Sequence, residues 1–228
     1  MMGFSEAGSI AERIAHIRET LPASVRLIAV TKQVSVEAMR EAYAAGIRDF
    51  GESRIQEAEL KQSQLHDLSG IVWHMIGHLQ ANKALKALQL FQWIHSVDGL
   101  KLAQRLDRLA TDLTQKPNLC LQVKMLPDPN KYGWTVSELW EDLPSLKDCK
   151  HLNICGLMTI PPLGLQPTEL LNVFQETHKL ANTIRSHSEL QLPIKELSMG
   201  MSNDYPIAVE AGATMIRLGR FLFGDRPT

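Results

Sequence analysis

Short apolar runs alternate with longer amphipathic stretches along almost the whole chain. The first run, residues 25–32, is too short for a helix and consists mainly of aliphatic and β-branched residues, which is typical of a buried strand in a parallel sheet. It ends on Lys32. Seven similar runs follow, so the predicted strands cover residues 25–32, 47–51, 71–76, 93–97, 118–125, 154–160, 196–199 and 215–218.

The stretches between these runs have the periodicity of amphipathic helices. Ile10, Ile14 and Ile17 recur at helical spacing before the first strand. Ser35 and Ser53 are suited to cap the helices that follow the first two strands. The predicted helices cover residues 5–19, 36–45, 54–64, 80–90, 99–113, 136–146, 168–187 and 204–211.

Eight strands that alternate with helices through short connections predict an α/β fold, a single (β/α)8 TIM barrel. An open doubly wound sheet rarely uses eight such even units. No linker rich in proline, glycine or serine divides the chain. We therefore expect one domain over residues 1–228, with residues 1–24 as an N-terminal helix and lead-in, and no second domain.

Composition excludes several classes of protein. The 228 residues are 44% hydrophobic and 21% charged with a formal net charge of -1, so neither disorder nor a nucleic-acid partner is expected. No apolar run approaches the roughly 20 residues of a membrane span, and the N-terminal stretch does not resemble a signal peptide. No membrane association is therefore expected.

Neither the cysteines nor the histidines are spaced as metal ligands. The three cysteines lack the pattern of a zinc site or of a disulfide framework, which favours the reducing cytoplasm. His74 and His78 fall on a predicted strand and the glycine turn after it, where a spacing of four residues does not bring two imidazoles together. We expect no metal site.

Candidate chemistry gathers at the carboxyl ends of the strands, which meet on one face of a barrel. The last two strand ends carry Ser-Met-Gly-Met-Ser-Asn-Asp at 198–204 and Arg-Leu-Gly-Arg at 217–220. Glycine, hydroxyl groups and the N–H groups of a helix start suit a phosphate dianion, and barrels often bind phosphate after strands seven and eight. Ordinary turn chemistry is the simpler explanation of either loop alone. The two loops together favour a phosphate site.

Lys32 faces this predicted phosphate site across the mouth, and a neutral lysine amine attacks carbonyl carbons. The combination suggests an imine with a phosphorylated carbonyl compound, for which pyridoxal 5'-phosphate (PLP) is the obvious candidate. The pattern alone does not identify the cofactor, because a lysine at a strand end is more often a solvated side chain. An aldolase that forms its imine with a sugar phosphate would use the same lysine.

Five segments carry a resemblance to a known family. They are Ala-Val-Thr-Lys at 29–32, Phe-Gly-Glu-Ser-Arg-Ile-Gln-Glu at 50–57, His-Met-Ile-Gly-His-Leu-Gln-Ala-Asn-Lys at 74–83, Gly-Leu-Met at 156–158 and Leu-Ser-Met-Gly-Met-Ser-Asn-Asp at 197–204. Together they resemble the pyridoxal phosphate homeostasis proteins, and the cyanobacterial branch of that family in particular. The matches run from Lys32 to Arg226. The resemblance implies a monomeric barrel like the N-terminal domain of bacterial alanine racemase.

The resemblance also implies the residues of a cofactor site. Lys32 is expected to form a Schiff base with PLP. Arg217 is expected to lie close to the pyridine nitrogen, where a guanidinium keeps that nitrogen unprotonated. Contacts to the phosphate are expected from Ser198, Ser202 and the backbone near Gly219 and Arg220.

Two residues depart from the pattern of the family. Ser53 stands where asparagine is expected, which puts a polar contact near the cofactor in doubt. Arg220 stands where a small hydroxyl residue is usual, which leaves the backbone N–H but removes a hydroxyl.

Two functions of different classes fit these expectations. The first is a protein without catalysis of its own that binds PLP reversibly, takes part in vitamin B6 and amino-acid homeostasis, and transiently contacts PLP-dependent apoenzymes. The second is a PLP-dependent amino-acid racemase, which needs a base on each face of the substrate carbon. Racemases of this fold take the second base, a tyrosine, from a second domain across a dimer. Of Tyr43, Tyr132 and Tyr205, only Tyr132 is placed to lean over the mouth, so the first function is preferred.

Overall fold

Eight parallel strands close into a barrel in the computed structural model, which describes residues 8–224. The strands are β1 (Arg26–Val30), β2 (Asp49–Glu52), β3 (Val72–Met75), β4 (Trp93–Val97), β5 (Asn118–Lys124), β6 (Trp134–Thr135), β7 (Asn153–Met158), β8 (Glu196–Ser198) and β9 (Met215–Leu218). Each barrel strand pairs with the next one along the chain, and β9 pairs with β1. The two-residue β6 lies beside β5 and is not one of the eight.

Helices cover the outside of the barrel. They are α1 (Ile10–Thr20), α2 (Val36–Ala44), α3 (Ile55–Gln64), a 3-10 helix (Ala81–Lys83) that leads into α4 (Ala84–Leu90), α5 (Leu100–Ala110), α6 (Val136–Lys147), α7 (Pro167–Ser186), α8 (Tyr205–Glu210) and α9 (Arg220–Phe223). Within residues 8–224, no helix is both long and apolar enough to cross a membrane.

The apolar core has two layers, one on each side of the strands. Along β1, Leu27 and Ala29 pack with the large cluster that lies under the helices, whereas Ile28 belongs to a second cluster. The buried members of that second cluster are Ile28, Trp93, Cys120, Met158 and Met215. Alternate strand residues point into the barrel, so this second cluster is its interior. Because both faces are covered, the strands are nearly continuous apolar runs.

The barrel expected from the sequence is confirmed. Strands β4 and β9 have the predicted bounds, and the other barrel strands differ by one or two residues at an end. One domain over residues 1–228 stays a prediction, because residues 1–7 and 225–228 lie outside the described part of the chain. The predicted start of the first helix, residues 5–7, and Arg226 lie there too.

The cap predicted at Ser35 is confirmed, and the structure adds a cap at Ser9 that was not predicted from the sequence. Ser9 begins α1 with a capping box to Glu12, and the Ser35 hydroxyl accepts the N–H of Ala38 at the start of α2. The prediction that Ser53 caps the next helix is wrong. That helix, α3, begins at Ile55 without a side-chain cap. The sequence also missed β6 and α9, which are too short to have a recognisable period.

The loops after β2 and β3 approach each other closely at the mouth. Gly77 follows β3, and a Cβ at this position would lie 2.7 Å from both Cα and Cβ of Ser53. It would lie closer still to the Ser53 carbonyl oxygen. Only glycine allows the two backbones to come this near without a shift.

Replacing Gly77 by serine should therefore lower the free energy of unfolding by about 1–3 kcal/mol, because the new side chain overlaps the Ser53 backbone. Gly99→Ser is the matched control. Gly99 has an extended backbone, no atom within 4 Å of a Cβ position, and lies at the N-cap of α5, where serine is favoured. Urea denaturation of both variants tests this, and equal destabilisation would contradict it.

Candidate ligand site at the mouth of the barrel

Lys32 lies in a tight turn directly after β1, where it is half-buried. The N–H of Val34 donates to the carbonyl oxygen of Thr31 at 2.9 Å, which places Lys32 at the second position of the turn. Gln33, at the third position, has a φ of 63°. Such a backbone costs a residue with a Cβ about 1–2 kcal/mol. The surrounding structure must therefore hold this turn.

Lys61 on α3 holds the residue before Lys32. Its Nζ donates to the Thr31 carbonyl oxygen (2.6 Å), Glu52 Oε1 (2.8 Å) and Glu57 Oε1 (2.6 Å). These contacts use all three of its N–H groups. The Thr31 hydroxyl donates to the same Glu52 oxygen at 2.6 Å. The side chain of Lys61 is only 8% exposed, so this is a buried ionic network beside β1.

Glu57 holds the residue after Lys32, because its Oε1 accepts the N–H of Gln33 at 2.5 Å. Burial acts to raise the pKa of Glu57, but the hydrogen bonds from Lys61 and Gln33 outweigh it and the pKa is lowered. In Glu52 burial dominates and raises the pKa. Its Oε2 is buried with no hydrogen-bond partner in the described residues. We call Glu52, Glu57 and Lys61 the α3 cluster.

A second polar network crosses the interior of the barrel beneath the mouth. Arg217 Nη1 donates to Ser198 Oγ at 2.6 Å, and that oxygen lies 2.7 Å from His95 Nδ1. His95 Nε2 lies 2.9 Å from His74 Nδ1, and His74 Nε2 lies 2.9 Å from Asp49 Oδ1. The five side chains come from five strands, β9, β8, β4, β3 and β2. We call them the interior chain.

Both histidines of the interior chain are neutral. Burial lowers the pKa of His74, and burial together with the charges of Arg217 and Arg26 holds the pKa of His95 well below its usual value. Since the Asp49 carboxylate can only accept, each imidazole donates from Nε2 and accepts at Nδ1. The single proton of the hydroxyl beside His95 therefore goes to His95. The hydrogen bonds point in one direction, from Arg217 to Asp49.

Arg217 is a buried cation that has more N–H donors than hydrogen-bond partners within residues 8–224. Its Nη2 donates to the carbonyl oxygen of Thr159 at 3.1 Å, so this bond and the bond to Ser198 use two of its five N–H groups. Burial lowers its pKa to about 10, against the opposing effect of Asp204, so it stays charged at neutral pH. Asp204 precedes α8, and its Oδ1 accepts the N–H of Met201 at 2.6 Å. Burial raises the pKa of Asp204.

Three of the predicted phosphate residues lie at the surface of the mouth. Ser202 and Gly219 are half-buried, and Arg220 is exposed. A Cβ on Gly219 would lie 3.4 Å from Cβ and the carbonyl oxygen of Val30, so the start of α9 lies beside the end of β1. The structure therefore brings this loop next to the turn that carries Lys32.

Ser198 is placed differently from those three. Its side chain is fully buried, and its hydroxyl accepts from Arg217 and donates to His95. A phosphate dianion needs a donor, and the only proton of this hydroxyl is already used. Its role as a phosphate ligand stays a prediction.

A stacked pair of rings lies where β3 and β5 reach the mouth. The rings of His78 and Tyr132 are parallel within 12°, with centroids 3.7 Å apart, and Tyr132 is 56% exposed. His78 Nδ1 donates to Asp98 Oδ2 at 2.8 Å. His74 and His78 thus each bind a carboxylate rather than each other. Within residues 8–224 no three histidine, cysteine or acidic side chains are grouped as metal ligands would be.

Ser53, one of the two departures from the family pattern, lines a cavity of about 240 Å³ beside this pair. Arg54 at the start of α3, His78 and Lys83 line the same cavity. The serine therefore lines a cavity next to the mouth that also contains two basic side chains, Arg54 and Lys83.

Known proteins resemble this chain over almost its whole length. The family model described as alanine racemase, N-terminal domain, matches residues 6–227. The pyridoxal phosphate homeostasis protein of Synechocystis is 56% identical over 212 residues, which cover 93% of this chain and 96% of that relative. The chain belongs to the pyridoxal phosphate homeostasis protein family.

Solved structures extend the comparison. PipY of Synechococcus elongatus, without PLP, is 52% identical with a TM-score of 0.91 and matches 95% of this chain and 100% of its own. The structure of PipY with PLP bound is 51% identical with a TM-score of 0.90, and the match covers the same shares of the two chains. Alanine racemase of Clostridium difficile is 14% identical with a TM-score of 0.77 over 96% of this chain and 57% of its own, which shows a shared fold alone. The resemblance of this homeostasis-family chain to the cyanobacterial branch is confirmed.

The sequence singled out Arg217 and Ser198 of the interior chain, but not His95 or the α3 cluster. One signal for Lys61 exists, since α3 buries Ile55, Ala58 and Lys61 at a spacing of three residues. A charged residue on the buried face of a helix needs partners. His95 gives a similar signal as a polar residue in the wholly buried strand β4. Neither signal indicates which residue the buried polar side chain contacts.

The neutral histidines predict how stability depends on pH. Because their folded-state pKa values are lowered, the unfolded chain binds more protons below about pH 6.5, and stability falls as the pH drops. His95→Gln should reduce this fall, by at most about 1.4 kcal/mol per pH unit, because the amide keeps a donor and an acceptor but does not titrate. The measurement is urea denaturation at several values between pH 5 and 7.5.

The control for this experiment is His66→Gln, because His66 is exposed on the surface. It should leave the pH dependence unchanged. A His95→Gln protein that loses stability between pH 7.5 and 5 as steeply as the unmodified protein would show that His95 is not held neutral.

Proposed function

We propose that this chain is a PLP-binding protein without catalysis of its own that serves vitamin B6 and amino-acid homeostasis. The observation that carries the proposal is a half-buried lysine at the end of β1 above a buried guanidinium, three of whose five N–H groups bind no acceptor within residues 8–224. Two relatives support it. One, of Synechocystis, is named a pyridoxal phosphate homeostasis protein, and the other, PipY, has a structure with PLP bound.

The residues at the mouth fit this cofactor. Lys32 offers an amine, and Arg217 offers N–H groups to an acceptor nitrogen. For a phosphate, Ser202 offers a hydroxyl, and Gly219 and Arg220 lie at the start of α9 beside the turn that carries Lys32. PLP would supply an aldehyde group there, and the Lys32 amine would form a C=N bond with its carbon and release one water.

Arg217 determines which chemistry such a site supports. With a pKa of about 10 it is protonated at neutral pH, so it donates hydrogen bonds and does not give up a proton. A ring nitrogen facing it stays an unprotonated acceptor, and the ring is then a weak electron sink. The interior chain fixes the guanidinium from behind through Ser198. This arrangement holds a cofactor firmly without activating it for reaction at a substrate carbon.

The alternative is a PLP-dependent racemase-like enzyme, and the position of Tyr132 is the observation that favours it. Its exposed ring stands at the mouth, where a second base would be needed. The same ring is stacked flat on His78. We therefore keep this function as the second candidate.

We further propose that the protein is a cytoplasmic monomer that contacts PLP-dependent apoenzymes transiently. Cys120, Cys149 and Cys155 are free thiols, which a reducing compartment preserves. Burial raises the pKa of each of the three, which keeps them protonated and unreactive.

Lys32→Ala should abolish the covalent attachment of PLP. The purified unmodified protein should take up added PLP and become yellow, and after borohydride treatment a peptide containing Lys32 should carry the added mass. Lys83→Ala is the control, because Lys83 lies on the neighbouring cavity and should not affect attachment. A colourless protein that does not take up PLP would contradict the proposed binding and would leave the sugar-phosphate aldolase as the remaining interpretation.

The absence of catalysis predicts that racemase assays with several L-amino acids show no more turnover than free PLP. Tyr132→Phe should then leave the background rate unchanged. The racemase alternative predicts the opposite, a rate well above that of free PLP which falls by about 100-fold or more in Tyr132→Phe, because a general base is lost.

A further inference from the structure

We propose that Glu57 and Lys61 are positioning residues that hold both peptide groups flanking Lys32 and so fix the direction in which its amine enters the mouth. The inference deepens the proposed function and rests on it, since it concerns the lysine that would hold the cofactor. Glu57 and Lys61 both act through the backbone of residues 31–33.

Both peptide groups that flank Lys32 are hydrogen-bonded to side chains of the same helix, α3. The carbonyl oxygen of the Thr31–Lys32 peptide accepts from Lys61 Nζ at 2.6 Å. The N–H of the Lys32–Gln33 peptide donates to Glu57 Oε1 at 2.5 Å. Lys61 and Glu57 are joined to each other at 2.6 Å, four residues apart on α3. The two contacts therefore act as one clamp with Lys32 between its ends.

The turn needs such a clamp because its own backbone is unfavourable. Gln33 has a φ of 63°, a conformation that residues with a Cβ rarely adopt. This conformation aims its N–H at Glu57. Without the carboxylate, the turn would relax towards negative φ, and the residue before Gln33, which is Lys32, would change direction. The strained backbone of Gln33 and its hydrogen bond to Glu57 thus depend on each other.

General stability does not explain the α3 cluster. Burying charges costs desolvation energy, and apolar residues of similar size often stabilise a protein equally well or better. The cluster also leaves Glu52 Oε2 buried with no hydrogen-bond partner in the described residues. What the charged groups provide, and apolar ones cannot, is a fixed direction for two peptide groups.

Glu57→Ala and Glu57→Gln test the clamp. The amide of glutamine still accepts the Gln33 N–H, whereas alanine does not. We expect Glu57→Ala to weaken PLP binding by about tenfold or more, measured by absorbance titration, and Glu57→Gln to restore most of the affinity. The control is Glu59→Gln on the same helix. Glu59 is exposed and pairs with Lys86, so its replacement should leave binding unchanged.

A second readout needs no cofactor. In PLP-free protein, amide hydrogen exchange at Gln33 should be faster in Glu57→Ala than in the unmodified chain, and close to normal in Glu57→Gln. If the unmodified protein binds no PLP but amide exchange at Gln33 is still faster in Glu57→Ala, the proposed function is wrong and the clamp is supported. If neither exchange nor PLP affinity changes in Glu57→Ala, the clamp is refuted.

A double-mutant cycle separates positioning from a purely structural role. Gln33→Gly should allow the turn to keep its positive φ without help, because glycine adopts that conformation at no steric cost. Glu57→Ala should then reduce PLP affinity less in the Gln33→Gly background than in the unmodified one. Equal losses in both backgrounds would overturn the proposal.

Discussion

A guanidinium cannot be buried without hydrogen-bond partners, and the interior of this barrel is built around the guanidinium of Arg217. Barrels of this class usually fill their interior with layers of branched aliphatic side chains. Here the layer beneath the mouth is polar, and the apolar residues of the interior cluster occupy the remaining space. The hydrogen bonds from Arg217 to Asp49 run through Ser198 and two neutral histidines, so they connect the buried guanidinium to a carboxylate on β2.

The end of β1 lies between two buried cations. Arg217 occupies the inside of the barrel, and Lys61 occupies the space between the strands and α3. Each of these two side chains is fixed by hydrogen bonds to several elements, so neither can move with a bound ligand. Lys32 emerges between them on a turn whose two peptide groups are tied to α3. The half-buried lysine is thus presented by a rigid frame.

Three departures from ordinary folding rules lie around this frame. Gln33 has a strained backbone, Glu52 has an unpaired buried oxygen, and His95 is an imidazole in a wholly buried strand. Each feature costs stability, and none is needed to close a barrel. Local conflicts of this kind are expected where function constrains a fold. On the outside of the barrel, the starts of α1 and α2 are capped in the usual way.

The sequence by itself determined the barrel. Each of the eight strands is covered on both faces and therefore appears in the sequence as an apolar run, and each helix between them appears as an amphipathic stretch. It also placed Lys32 and Arg217 near one mouth, since parallel strands all end on the same face. Only the tertiary structure decided what surrounds them. His95 and Ser198 are bonded across 103 residues, and Thr31 and Lys61 across 30. A hydrogen bond leaves no period in the sequence, and its partner is set by how strands and helices meet in space.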